Sequence, residues 1–347
     1  MLQERLKALR AEMEKRGITV YVVPTADFHE SEYVGDHFKA RKFITGFTGS
    51  AGTAVITLDE AGLWTDGRYF VQAENQLKDS TVTLYRMGEE GVPTVDEFVK
   101  DRLKEGGCLG FDGRVVNGTW GGKLEKIAAE KNVSMHVTED LIDLIWEDRP
   151  ALSKQPLFIL EEKYSGKSTA DKIADLRKAM KENGADVHIL TSLYDIAWLL
   201  NIRGNDIDYV PVVLSYLVLN ETECIWFLQE EVVDDKIRAY LEENHITTKP
   251  YDAIYDYVPE IPADAVVLMN RGTVNYRIVN SLDKAIKVVD KPNPTELMKA
   301  VKNKTEVDNT RAAHVKDGVA FTKFMYWLKT NIGKIPMTEI SACHFNT

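Results

Sequence analysis

Two helix–strand units set at one constant offset limit the folds open to this chain. Leu9, Arg10, Met13 and Gly17 in the first half correspond to Leu176, Arg177, Met180 and Gly184 in the second. Each helix leads into an apolar strand, Tyr21-Val22-Val23 in one case and His188-Ile189-Leu190 in the other. A shared spacing over a helix and a strand suggests tandem domains of similar fold, although helix–strand units also recur by chance. At 347 residues and 44% hydrophobic content the chain has room for two or three domains with sizeable cores.

Taken in order, helix and strand signals alternate. Leu2, Leu6, Leu9 and Met13 form one apolar helical stripe that Gly17 stops, and Val20–Val23 is a buried strand ended by Pro24. Thr81–Arg86, Cys108–Phe111 and Val133–Val137 read as strands. Asp96–Lys104 and the Leu124, Ile127, Ala128 stripe read as helices. This alternation implies an α/β layer fold. The polar, proline-flanked run from Glu147 to Pro156 places a first boundary near 155. In the second unit, Val212–Leu219 and Cys224–Leu228 form a hairpin around Asn220-Glu221-Thr222, and His188 within its strand reads as a core or edge histidine. Lys291-Pro292-Asn293-Pro294 marks the next junction, with Thr295 as a cap for the helix that follows. A long helix over about 306–331 is apolar on more than one face and is expected to be covered on them. Thr338 reads as the cap of one more helix.

The densest set of special residues is 43–70, FITGFTGSAGTAVITLDEAGLWTDGRYF. Two apolar runs, 54–58 and 62–64, flank Asp59-Glu60-Ala61 and read as a β-hairpin. Gly46, Gly49 and Gly52 let backbone pass close to backbone or ligand, but neither phosphate-loop pattern is present. Thr65 or Asp66 can cap a helix from Gly67 to about Leu77. Arg68 then lies in the first turn, where the helix dipole disfavours a cation by roughly 0.3–1 kcal/mol. Such a cation is tolerated on a solvated surface, paired with Asp66, or held to meet an anion. Arg68 is the candidate functional side chain.

Asp27, His29, Glu30, Glu32, Asp36 and His37 cluster after the first strand, without recognised metal-ligand spacing. A solvated loop with local caps is the expected role. Tyr164-Ser165-Gly166-Lys167-Ser168 resembles the end of a Walker A motif, but Glu161 stands where its first Gly belongs. A ribonuclease H-like, metal-dependent nuclease would suit the α/β pattern. The net charge of −11 and the lack of a basic stripe argue against it, and against a nucleic-acid partner. No apolar run approaches the ~20 residues of a membrane helix. Residues 1–17 form an amphipathic helix without the apolar core of a signal peptide. Cys108, Cys224 and Cys343 suggest reduced thiols in a cytoplasmic protein, neither a disulfide frame nor a zinc site.

GSAGTAVIT and LWTDGRYFVQA within 49–73 resemble the aminopeptidase P family (Xaa-Pro aminopeptidases), in its three-domain, eukaryote-like branch. Other matches are Val23-Pro24 followed by 29–33 (HESEY), 141–150 (LIDLIWEDRP), 197–204 (AWLLNIRG) and 300–303 (AVKN). They run in register from the first helix to about Ala342. The resemblance implies two tandem creatinase N-terminal-like (ribonuclease H-like) domains, each a mixed β-sheet flanked by helices, at 1–155 and 156–294. Residues 295–347 would be the opening helices of a truncated pita-bread domain. It also implies that Arg68 contacts the bound peptide.

In the family, two Asp, one His and two Glu of that third domain bind two divalent metal ions, usually manganese. The bridged water attacks the bond between an N-terminal residue and a following proline, a task that bridging metals assist by lowering its pKa. No stretch here matches those ligand motifs, and from Cys343 onward Cys-His-Phe-Asn-Thr departs from the family pattern. The expectation is the N-terminal region of a Xaa-Pro aminopeptidase, inactive alone. It carries no catalytic residue and no metal ligand, and Arg68 is its substrate-binding residue. The competing reading is a natural non-catalytic module that associates through the apolar 319–332 helix.

Overall fold

The repeat seen in the sequence becomes two sheets of one topology. The computed structural model describes residues 2–345. Its first sheet holds β1 (Val20–Pro24), β2 (Thr53–Thr57), β3 (Ala61–Thr65), β4 (Thr83–Arg86), β5 (Cys108–Phe111) and β6 (Ser134–His136), in the order β4-β3-β2-β1-β5-β6. The second holds β7 (Val187–Leu190), β8 (Ser215–Leu219), β9 (Cys224–Leu228), β10 (Thr247–Pro250), β11 (Val266–Met269) and β12 (Lys287–Asp290), in the order β10-β9-β8-β7-β11-β12. In each, two antiparallel pairings join the central strand to a hairpin, and the outer pairings are parallel. Short turns join β2 to β3 and β8 to β9, whereas the parallel pairings need crossovers. The helices Phe70–Leu77 and Gly118–Glu130 lie on two such crossovers of the first sheet.

The α/β reading therefore holds, and so do most element positions. In the helix Leu2–Lys15, Leu6, Leu9 and Met13 are buried, and Gly17 ends it at φ +66°. The hairpins fall at β2–β3 and β8–β9, the second starting at Ser215 and leaving Val212–Leu214 outside the strand. His188 is a core residue, its Nδ1 2.9 Å from the Leu268 carbonyl. All three cysteines are free thiols, Cys343 exposed and the other two buried. Thr338 accepts from the Ser341 N–H and opens the helix Glu339–Phe345. Asn346 and Thr347, at the end of the divergent stretch, lie outside the described residues.

Three expectations fail in whole or in part. The helix Pro294–Ala300 begins after Asn293, whose N–H donates to Glu296 Oε1 at 3.2 Å, while Thr295 is buried in its first turn. Pro294 suits the first helical position, so the cap belongs to the residue before it.

Second, the helix Lys304–Asn331 has no buried residue, and Phe321 and Tyr326 are 57% and 73% exposed. Its contacts lie near its start, where Asn303 and Asn309 donate to the Ser165 and Tyr164 carbonyls. Phe324, Met325, Trp327 and Leu328 are half-buried, so its apolar faces are covered only in part.

Third, the 27–37 stretch is only partly a solvated loop: Glu30, Glu32, Tyr33 and Asp36 are exposed, but its start is not. Asp27, Phe28 and His29 are each at most 2% exposed. They sit where the first unit meets the second, so partners distant in sequence bury them. Asp27 does cap locally, its Oδ1 accepting from the His29 and Ser31 N–H groups at 2.9 Å each. His29, however, reaches the Thr191 carbonyl (3.0 Å) and the Tyr251 hydroxyl (2.6 Å) of the second unit. Phe28 and Phe38 join the same apolar core as Val187, Ile189 and Tyr216.

Candidate functional site

The sequence positions Arg68 through the end of β3. Strand pairing stops at Thr65, and Asp66 takes an extended conformation that lets its carboxylate accept from the Arg68 N–H at 3.1 Å. A single 3₁₀ turn, Gly67–Tyr69, then leads into the helix Phe70–Leu77. Asp66, not Thr65, is thus the cap. The Thr65 hydroxyl instead donates to the Ala51 carbonyl at 2.7 Å. The same carboxylate holds the guanidinium in a fork: Nε donates to Oδ1 at 2.8 Å and Nη2 to Oδ2 at 2.9 Å. This answers the unfavourable dipole at the helix start. The guanidinium beside it lowers the Asp66 pKa to about 2. The Arg68 side chain is 71% exposed, and an ion pair in water contributes at most about 1 kcal/mol. A ligand carboxylate or carbonyl can therefore draw Arg68 off Asp66 at small cost.

Next to Arg68, Tyr69 bonds Ser50 through hydroxyls 2.6 Å apart. The Thr48 hydroxyl accepts from Gln72 at 2.9 Å and Gln76 at 2.8 Å, so the helix after the turn grips the glycine-rich loop before β2. The loop is held from inside by Arg41. Its guanidinium donates to the Thr25 hydroxyl (2.9 Å), the Phe47 carbonyl (2.5 Å) and the Gly49 carbonyl. No carboxylate among the described residues pairs with Arg41, and burial pulls its pKa down to about 10. Gly49 is required by closeness: a Cβ there would stand 2.2 Å from the Phe47 ring and 2.8 Å from Tyr69. Sequence reasoning found the glycines and Arg68 but missed Arg41. It stands between Lys39 and Lys42, and nothing in the sequence sets it apart from those two exposed or half-exposed cations.

Beyond Ser50 lies a cleft of about 800 Å³ between the two units. One wall carries Lys42 and 48–50, and the other carries 150–155 and 205–209. Arg68 stands outside the cleft, tied to its wall through Tyr69 and Ser50. The structure thus separates Arg68 from the 27–29 cluster, which is buried at the interface.

That cluster is unsuited to metal ions. Both ring nitrogens of His29 are engaged, and Asp27 gives one oxygen to two backbone N–H groups. Because the Thr191 carbonyl can only accept, neutral His29 carries its proton on Nδ1 and Nε2 accepts from Tyr251. Burial lowers the His29 pKa to about 4, which keeps the ring neutral. No group of three or more His, Cys, Asp and Glu side chains that could hold a metal ion occurs among the described residues. The donor set for a two-metal centre is not met by them. No helix among the described residues is long and apolar enough to cross a membrane.

Residues 5–145 and 148–306 each match the creatinase/prolidase N-terminal domain family. The chain belongs to that family and carries the domain twice, as the two sheets show. Over nearly its whole length it is similar to Xaa-Pro aminopeptidases. It is 38% identical over 98% of its length to a probable Xaa-Pro aminopeptidase P of Sordaria macrospora, of which it covers 57%. It is 32% identical over 99% of its length to Xaa-Pro aminopeptidase 1 of Dictyostelium discoideum, of which it covers 56%. The crystal structure of an X-prolyl aminopeptidase from Caenorhabditis elegans, described as a cytosolic enzyme with a di-nuclear active site, superposes with a TM-score of 0.92. That match has 31% identity and covers 99% of this chain and 58% of the other. The chain spans little more than half the length of these relatives.

Proposed function

We propose that this chain supplies the two N-terminal domains of a metal-dependent Xaa-Pro aminopeptidase, which removes the residue ahead of a penultimate proline. In this reading Arg68 contacts the peptide, and two divalent metal ions, manganese by the family resemblance, are bound by residues other than 2–345. The chain alone hydrolyses nothing and works in the cytosol. The observation that carries the reading is the near-complete match in fold and order to the nematode enzyme. The exposed, forked Arg68 beside the interdomain cleft fits a residue that receives substrate from another domain. With no donor set for two metals in the described residues, the chemistry is assigned to a further domain.

The test is a chimera in which residues 1–347 replace the corresponding part of the nematode enzyme. Manganese-dependent release of the first residue from Xaa-Pro peptides, weakened about tenfold or more in kcat/KM by Arg68→Ala, is the expected result. A folded, metal-loaded chimera without turnover overturns the reading, and an unaffected Arg68→Ala removes Arg68 from it.

One observation favours a second reading, a non-catalytic association module. Val315, Val319, Phe321 and Tyr326 of the helix Lys304–Asn331 are open to solvent, as an interface would need. Self-association that rises with concentration and is broken by Phe321→Glu would favour it.

A further inference from the structure

The interdomain cleft holds a residue whose conformation the fold does not explain. Tyr209 has φ +64°, a region that bulky residues avoid. Its side chain is fully exposed at 105% of the reference area. It makes no hydrogen bond or ring contact among the described residues. The loop is nevertheless fixed. Asp206 accepts from the backbone N–H groups of Gln155 (3.2 Å) and Leu214 (2.8 Å), and the Val210 N–H donates to the Ile207 carbonyl at 3.0 Å. Left-handed backbone at a non-glycine residue costs on the order of 1 kcal/mol and persists only where the surroundings enforce it. Here they hold an aromatic ring at the rim of a cleft. Tyr33, 55% exposed, lines the same cleft.

Among the charges that line the cleft, Glu32 and Asp208 make no ion pair among the described residues. Asp36 is paired with Lys39, Arg41 serves the Phe47 and Gly49 carbonyls, and Asp206 serves backbone N–H groups. The exposed Lys42 lies in the field of Asp36 but makes no direct ion pair among the described residues, so its ammonium can still meet an anion.

We propose that this cleft binds the downstream part of an extended, proline-containing peptide, with prolyl rings against Tyr33 and Tyr209 and the terminal carboxylate at Lys42. The inference rests on the peptidase reading above and adds where the rest of the substrate lies. About 800 Å³ at a domain interface falls in the size range of ligand sites. A polyproline-type segment loses little entropy on docking, and aromatic grooves recognise it. The wall at 48–50 continues through Ser50 and Tyr69 to Arg68, so one peptide can touch both.

The experiment is calorimetric titration of this chain with Ala-Pro-Pro-Ala-Pro-Ala, its C-terminal amide, and the proline-free Ala-Ser-Gly-Ala-Ser-Ala. The expected dissociation constant for the first is about 1 mM or tighter. Tyr209→Ala and the proline-free peptide should each weaken binding about tenfold. Lys42→Ala should weaken the free acid severalfold and leave the amide unchanged. Tyr209→Gly, which relieves the backbone strain, should melt at the same or a higher temperature and still bind weakly. Absence of saturable binding, or binding indifferent to either Tyr209→Ala or Lys42→Ala, overturns the proposal. So does a Tyr209→Gly protein that melts lower. The chimera separates the two readings: hydrolysis there without binding here sinks the cleft alone, and binding here without hydrolysis there sinks the peptidase reading alone.

Discussion

His29 of the first unit and Tyr251 of the second meet with 2.6 Å between Nε2 and the hydroxyl, across 222 residues of sequence. The contact links a buried, neutral imidazole to a cluster in which Tyr216 bonds Tyr255 (2.9 Å) and Asn275 bonds both Tyr255 (3.3 Å) and the Phe28 carbonyl (3.1 Å). The units are therefore joined by directional bonds as well as apolar packing, which fixes the walls of the cleft between them.

This contact gives stability a pH dependence. The folded pKa of His29 is about 4, below the ordinary 6.5, so the unfolded chain binds the proton first on acidification. Its contribution is complete above pH 6.5 and is lost as pH falls towards 4, by roughly 3 kcal/mol in all. Buried His188, also lowered by desolvation, acts in the same direction. Urea unfolding of the wild type and His29→Gln at pH 7.5 and 4.5 checks this. The variant should lose less stability between the two pH values.

Arg41 holds the loop that carries Thr48, Gly49 and Ser50. Arg41→Ala leaves two backbone carbonyls and one hydroxyl without their donor and opens a void, at a cost of about 3 kcal/mol. Arg41→Lys should recover only part of this, because an ammonium cannot span the three acceptors. Thermal melting of both variants gives the ranking.

Gly49→Ala should destabilise by about 1–3 kcal/mol, since its Cβ would overlap the Phe47 and Tyr69 rings. Gly122→Ala serves as control. No heavy atom lies within 4 Å of its Cβ position, and helix propensity favours alanine there. The two melting temperatures should move in opposite directions.

The ion pair between Lys299 and the fully buried Asp195, 2.6 Å long, ties the helix Pro294–Ala300 to the second unit. Lys299→Met strands a buried carboxylate that keeps the Asn293 amide as its side-chain donor among the described residues, at a cost of about 3 kcal/mol. Asp195→Asn should cost less, because the remaining ammonium is partly in water. Chemical denaturation of each variant checks the order.

The sequence made local structure legible. The β2–β3 hairpin, the Asp66 cap and the tandem units rest on neighbours within a few residues or on apolar periodicity, and they stand where expected. Arg68 was legible as a cation at a helix start, and its pairing with Asp66 was among the options. The burial of 27–29 was not legible because the polarity of the stretch suggests water, while the residues that bury this part come from the second unit. Arg41 escaped for the same reason in reverse, since its acceptors are main-chain groups that carry no residue signature. The strain at Tyr209 is a backbone property that composition does not reveal.

The most direct measurement is hydrolysis of a short Xaa-Pro peptide by this chain, with and without manganese. The account expects no turnover under either condition, because it proposes that the metal ions are bound by residues other than 2–345. Manganese-dependent turnover, abolished by chelation, would contradict it and place a metal site within residues 1–347.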